Sequence, residues 1–366
     1  MIKLAIFKFK KILKWIGLSI PVLILSAVLF ICVARGVTYF FNHIDTPNGV
    51  DEGIYVPLGG QEQYLLIRGE NTENPVMLWL HGGPSSPDAF ANYIFQKQLV
   101  DDYTVVNWDQ RGCGRTYYRN KDLDPKNETV SFEQAQADLD KLVDYLTERF
   151  NTDKVIIVGH SYGTMLGSKY ALSYPEKVSS YIGVGQVVDI ESEIYSYEDA
   201  LKKAKEKGDD TAVLEEAYRR YSEDMTLTNM INLRGIVGKY HSAEKEANTI
   251  WLGLASPHMG IDDLRWFFKQ MGNFEEYVAL NQQLFDYIMV ADVRGYGLEY
   301  QVPVGFISGA DDWTTPVKYS EDCYNLISAH DKDFALLNGC GHSPHYDSPE
   351  EFCEILEEML NEILKK

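Results

Sequence analysis

The chain has 366 residues, 45% of them apolar and 24% charged, which suits a large buried core and excludes a disordered chain. Residues 1–36 carry six of its 34 basic residues and none of its 54 acidic ones, so the 28 against 54 that remain leave the body near −26. A body that acidic repels nucleic acid and anionic lipid, and it tolerates cationic substrates such as peptides with a free N-terminus.

Residues 1–14 form a basic N-terminus with five lysines, and residues 15–34 follow without a charge. Twenty residues at 1.5 Å each span about 30 Å, the thickness of a bilayer's hydrocarbon core. A cleavable signal peptide has a shorter apolar region and a small-residue cleavage site, and neither is found here. The expectation is a single-pass signal anchor in the cell membrane, N-terminus cytoplasmic and body outside. Residues 35–50, with the turn Thr46-Pro47-Asn48-Gly49, read as a linker.

Two antiparallel strands are expected over 54–57 and 64–67, joined by Gly59-Gly60. Then strand and helix patterns alternate: a strand over 76–80, a helix over 88–99, a strand over 104–107 and a helix over 131–150 capped by Ser131. A strand over 155–158, a helix over 164–173 and a strand over 181–184 complete the run. This βαβα order implies a mainly parallel sheet with helices on both faces. Residues 187–300 lose the strand signal and read as a helical cap inserted between core segments 51–186 and 301–366. A strand over 302–309, a helix over 320–328, a strand over 334–337 and an amphipathic helix over 350–364 close the chain.

The chemistry concentrates at strand ends. Gly159-His160-Ser161-Tyr162-Gly163 lies between a strand and a helix, the G-x-S-x-G arrangement in which a sharp turn exposes a nucleophilic serine. Side chains in place of the flanking glycines would collide with the neighbouring strand or helix. Downstream, the strand over 302–309 spills Asp311 and Asp312 into a loop; Asp312 is the candidate acid, and Asp311 caps or solvates the turn. His342 is the candidate base, with His345 as its rival; the competing view of His345 is a surface histidine at the entry to the last helix. In such a triad His342 takes the Ser161 proton and Asp312 fixes its tautomer. His81-Gly82-Gly83-Pro84 ends the strand over 76–80, and backbone N–H groups of Gly83 and Tyr162 are the expected oxyanion donors. Glu191, Glu193 and Glu198 near the cap's start are candidates to bind a substrate amine, although carboxylates there are more often a solvated face.

No Cys-x-x-Cys or Cys/His ligand spacing occurs, so neither a metal nor an organic cofactor is called for. Asn127-Glu128-Thr129 is a glycosylation sequon on paper.

His81-Gly82-Gly83-Pro84, then Asp109-Gln110-Arg111-Gly112-Cys113-Gly114-Arg115, then the Ser161 elbow, resembles the motif order of the proline iminopeptidase (prolyl aminopeptidase) branch of the α/β-hydrolases. The resemblance implies that fold, with a mainly parallel eight-stranded sheet, and an aminopeptidase acting on small peptides through an acyl-enzyme. It gives Asp109 and Arg111 a bracing role rather than a catalytic one. An esterase using the same triad, and a non-catalytic binding protein on this fold, are the competing functions.

Overall fold

The computed structural model describes residues 2–364, with side chains described for residues 19–362. The basic residues expected to flank the anchor at 1–14 have side chains outside the described ones. Eight strands are present: β1 (Val50–Leu58), β2 (Gln61–Gly69), β3 (Val76–Leu80), β4 (Thr104–Asp109), β5 (Val155–His160), β6 (Val178–Val184), β7 (Val304–Gly309) and β8 (Lys332–Leu337). They form one sheet in the order β1-β2-β4-β3-β5-β6-β7-β8. Only β2 runs antiparallel to its neighbours, β1 and β4; the pairs from β4 through β8 are parallel.

Strand β3 shows how the sequence makes two layers. Val76, Leu78 and Leu80 face one apolar cluster, while Met77 and Trp79 face the other. Both faces are buried because helices cover both sides, which is why β3 to β7 read as continuous apolar runs rather than alternating ones. After α1 (Ile2–Asn42), helix α2 (Tyr93–Leu99) packs Phe95 and Leu99 on the Trp79 face, and α3 (Gly114–Asn120) lies against β2. Helices α4 (Phe132–Phe150) and α5 (Tyr162–Ser173) cover the Leu78 face. Helix α4 starts where expected, its Ser131 side chain accepting the Gln134 N–H at 3.1 Å.

Between β6 and β7 lie seven α-helices among the described residues: α6 (Glu193–Lys207), α7 (Ala212–Glu223), α8 (Leu227–Val237), α9 (Thr249–Ala255), α10 (Ile261–Gly272), α11 (Phe274–Leu280) and α12 (Gln282–Ile288). Gly208, at φ 74°, splits α6 from α7. The chain ends with α13 (Val317–Leu326), α14 (Pro344–Asp347) and α15 (Pro349–Leu364).

The linker expected at 35–50 is corrected in its first half. Helix α1 runs on to Asn42, and Ser19–Asn42 is the stretch long and apolar enough to cross a membrane. Tertiary contacts hold the extra turns: Arg35 donates to the Met259 carbonyl and Arg68 donates to the Asn42 carbonyl. The sequon's asparagine is buried, while Glu128 and Thr129 are exposed. Asn127 Nδ2 donates to the Gly112 carbonyl at 2.7 Å, so the folded chain offers no acceptor amide there.

The elbow is packed directly against backbone. A methyl on Gly163 would sit 2.1 Å from the Leu80 carbonyl oxygen, and one on Gly159 would sit 2.4 Å from that of Gly163. Backbone on both sides leaves nothing to rotate away. Gly163→Ala should therefore cost at least about 2 kcal/mol of stability, as overpacking does, measured as a shift in urea midpoint. A midpoint unchanged from the parent would contradict this packing.

Candidate active site

Ser161 ends β5 with φ 52° and ψ −123°, one of four non-glycine residues at positive φ among those described. Its N–H donates to the Val184 carbonyl at 2.9 Å, pinning the turn to the end of β6. Its hydroxyl is not hydrogen-bonded to His342. Ser161, Tyr162 and Gly83 together line a cavity of about 200 Å³. Gly82 passes close behind Ser161, since a methyl there would lie 3.0 Å from Ser161 Cβ.

Asp312 and His342 meet across the ends of β7 and β8. His342 Nδ1 donates to Asp312 Oδ2 at 2.8 Å, which leaves Nε2 as the free ring nitrogen. Asp312 also accepts the Thr315 hydroxyl at 2.6 Å and the N–H groups of Thr314 and Thr315 at 2.8 and 2.9 Å. Burial pushes its carboxyl up, but His342 and these donors outweigh burial and hold it below the usual carboxylate range. Asp311 points to solvent. Gly185, directly after β6, makes room for the pair: a methyl there would approach His342 Cε1 and the Thr315 hydroxyl at 3.2 Å each. Sequence reading missed it, although a glycine just past a strand end was the available signal.

His345 is not the surface residue that its position suggested. It is fully buried, ringed by Trp79, Phe95 and Phe352 with centroids 5.0 to 5.8 Å away, and neither ring nitrogen has a hydrogen-bond partner. Beside it, His160 Nε2 donates to the His342 carbonyl at 2.9 Å and so ties the elbow to the His342 loop. Burial lowers both imidazoles, His160 to about 3 and His345 well below its ordinary value. Asp88 joins them, the three offering ligand atoms within 4.8 Å of one another. Asp88 is already committed to Trp79 Nε1 at 3.0 Å and Asn92 Nδ2 at 2.9 Å, and aromatic rings wall the group in. It is a buttress rather than an evident metal centre.

The amine candidates separate. Glu193 is buried and lines the cavity, whereas Glu191 is exposed and outside the lining. Glu198 is exposed as well. Glu193 Oε1 is held by Arg234, whose Nε donates at 2.8 Å, a pairing that connects α6 with α8 and that no local pattern signals. Asp109 and Arg111 have bracing contacts. Asp109 accepts the Arg115 N–H at 2.9 Å, and Arg111 forks onto Asp138 at 2.6 and 2.9 Å while also donating to the Gly59 carbonyl.

His345 generates a prediction with a definite sign. Its pKa is lower in the fold than the roughly 6.5 of an unfolded chain. Stability is therefore complete above pH 6.5 and falls as the unfolded state takes up a proton below it, by about 1.4 kcal/mol per pH unit. His345→Phe places an apolar ring among aromatic walls and removes that term. Urea unfolding at pH 7 and pH 5 should show the variant at least as stable as the parent at pH 7 and ahead by about 2 kcal/mol at pH 5. Equal acid losses in both proteins would show that His345 is charged in the fold.

A family model of the alpha/beta hydrolase fold matches residues 75–209. A probable aminopeptidase of Bacillus subtilis (strain 168), YbaC, is 25% identical over 308 residues, covering 82% of this chain and 93% of that protein. The proline iminopeptidase of Lactobacillus delbrueckii subsp. bulgaricus is 26% identical over 313 residues, covering 84% and 96%. Among solved structures, a proline iminopeptidase-related protein from Thermus thermophilus superposes with a TM-score of 0.57 at 18% identity, covering 86% of this chain and 99% of that one. With the elbow, the sheet order and these likenesses together, the chain has the α/β-hydrolase fold and is a serine hydrolase that resembles the proline iminopeptidase branch.

Proposed function

We propose that this protein is a membrane-anchored aminopeptidase of proline iminopeptidase type, releasing N-terminal residues from small peptides with Ser161, His342 and Asp312. The observation that carries the reading is the 2.8 Å bond from His342 Nδ1 to buried Asp312, at the same sheet edge as the strained Ser161 turn. In this mechanism His342 Nε2 takes the Ser161 proton as Oγ attacks the substrate carbonyl. The N–H groups of Gly83 and Tyr162 receive the developing oxyanion, each worth roughly 3–4 kcal/mol in the barrier. Collapse breaks the C–N bond, His342 returns the proton to the leaving amine, and water then hydrolyses the acyl-enzyme by the same route.

A serine-directed phosphonate should label the protein, and Ser161→Ala should abolish labelling. Labelling that persists at another serine would sink the assignment. His342→Ala should lower kcat by several orders of magnitude, while His345→Phe should leave it within a few fold. The reverse pattern would make His345 the base.

The substrate amine is assigned to Glu193. Free-amine proline anilide should be cleaved at least about tenfold faster than its N-acylated form, a difference of roughly 1.4 kcal/mol. Because Glu193→Gln alone would strand Arg234, Glu193→Gln with Arg234→Met is the cleaner variant, and it should erase that gap while sparing short aryl esters. Equal parent rates on free and blocked substrates would favour the second reading, a carboxylic-ester hydrolase. That reading is supported by Arg234, which already occupies an oxygen of the cavity's glutamate.

Ser19–Asn42 supports the anchor by length and composition, with the N-terminus cytoplasmic by its lysines. External protease on intact cells should reach the catalytic body. Protection would invert the orientation, and a mature N-terminus near residue 35 would mean a cleaved signal.

A further inference from the structure

Helix α10 is apolar on its outer side as well as its inner one. Inward it buries Trp266, while outward Ile261, Phe268 and Met271 are 70%, 68% and 70% exposed. The spacing of seven and three residues, with half-buried Leu264 between, is one stripe at helical period. Nearby on α9, Ile250 and Trp251 are also exposed. The charges on this side of α10 are internally paired, Arg265 with Asp262 and Lys269 with Glu276. A run of exposed large apolar residues on a folded body marks a contact surface rather than ordinary exposure.

The segment leading into α10, α9 and Met259, lies against α1 and identifies the contact. The Phe30 ring stacks on Trp251 at 5.6 Å, joining the apolar helix to α9. Five residues on, about 7.5 Å along the axis, Arg35 donates to the Met259 carbonyl, two residues before α10 begins. Arg35 is the first charged residue after the apolar stretch, so it marks where a membrane-crossing α1 leaves the hydrocarbon. Trp251 then lies just below that level and the start of α10 just at it. Tryptophan favours that depth, and a helix with one apolar face lies flat in it.

We infer that α9 and the outer stripe of α10 rest in the headgroup–acyl boundary of the bilayer that α1 crosses. The inference relies on the anchor reading proposed above. Because the body is acidic and the stripe carries no unpaired cation among its described pairs, zwitterionic lipid suffices and anionic lipid is not required. The stripe leads to Phe274, the first residue of α11, which is 43% exposed and also walls the cavity at Ser161. Docking therefore sets the cavity's rim at the lipid surface and favours substrates with an apolar part.

The test uses the full chain in phosphatidylcholine vesicles, with and without bromine on the acyl chains. Subtracting the emission of Trp251→Phe from that of the parent isolates Trp251, and Phe268→Trp adds a reporter on α10. The chain should float with the vesicles, and both emissions should fall at least about twofold in brominated lipid. A chain that does not float overturns the anchor reading and this inference together. A chain that floats with both emissions unquenched leaves the anchor standing and overturns the docking. If the emission added by Phe268→Trp is unquenched and changes instead with protein density in the vesicles, the stripe pairs with a second copy and the docking is overturned.

Discussion

The geometry at this sheet edge depends on keeping Ser161 in a conformation that L-residues avoid. At φ 52° and ψ −123° the residue sits in a sparsely populated region that costs of order 1–3 kcal/mol and persists only when its surroundings over-determine it. Those surroundings are backbone. Gly163 lies against the Leu80 carbonyl, Gly159 against Gly163, and the Ser161 N–H is tied to Val184. The end of β5 is thereby locked to the ends of β3 and β6, and the loops after those strands carry Gly82, Gly83 and Gly185. The position of the Asp312–His342 pair is a consequence of the same edge, because β7 pairs with β6 and β8 with β7.

A second tie works from below. His160 bonds the His342 carbonyl, and His345 fills the aromatic pocket beneath the same loop. A neutral imidazole suits this place because burial disfavours its charged form. The position before Ser161 therefore serves the architecture, setting the height of the loop that carries His342 relative to the elbow.

What was legible in the sequence is what short-range rules determine. Strands buried on both faces read as apolar runs, Ser131 capped α4, and the glycines of the elbow announced a close approach. Features decided by distant partners were misread. The helix beyond residue 34 continues because Arg68 and Met259 meet it, 26 and 224 residues away along the chain. His345 looked like a surface residue because its aromatic walls come from β3, α2 and α15. Asn127 looked modifiable because its partner, Gly112, lies across a loop.

Net charge misleads in the same way. A body near −26 suggests a strongly acidic cavity, yet the buried carboxylates around it are paired: Glu193 with Arg234, and Asp189 with Arg294 and the Tyr319 hydroxyl. Exposed charge beyond a Debye length of about 8–10 Å is screened, so the surplus on the surface contributes little to selection at Ser161. If Glu193 binds the substrate amine as proposed, selectivity rests on whether an ammonium gains more there than Arg234 loses by sharing it. Both charges compete for one carboxylate in a place where leaving either unpaired is costly. A free amine is favoured only if it approaches without displacing the guanidinium, and an uncharged ester faces no such competition. On the proposed function, the boundary between the two activities lies in a single ion pair joining α6 and α8 rather than in the proposed triad, which would serve both.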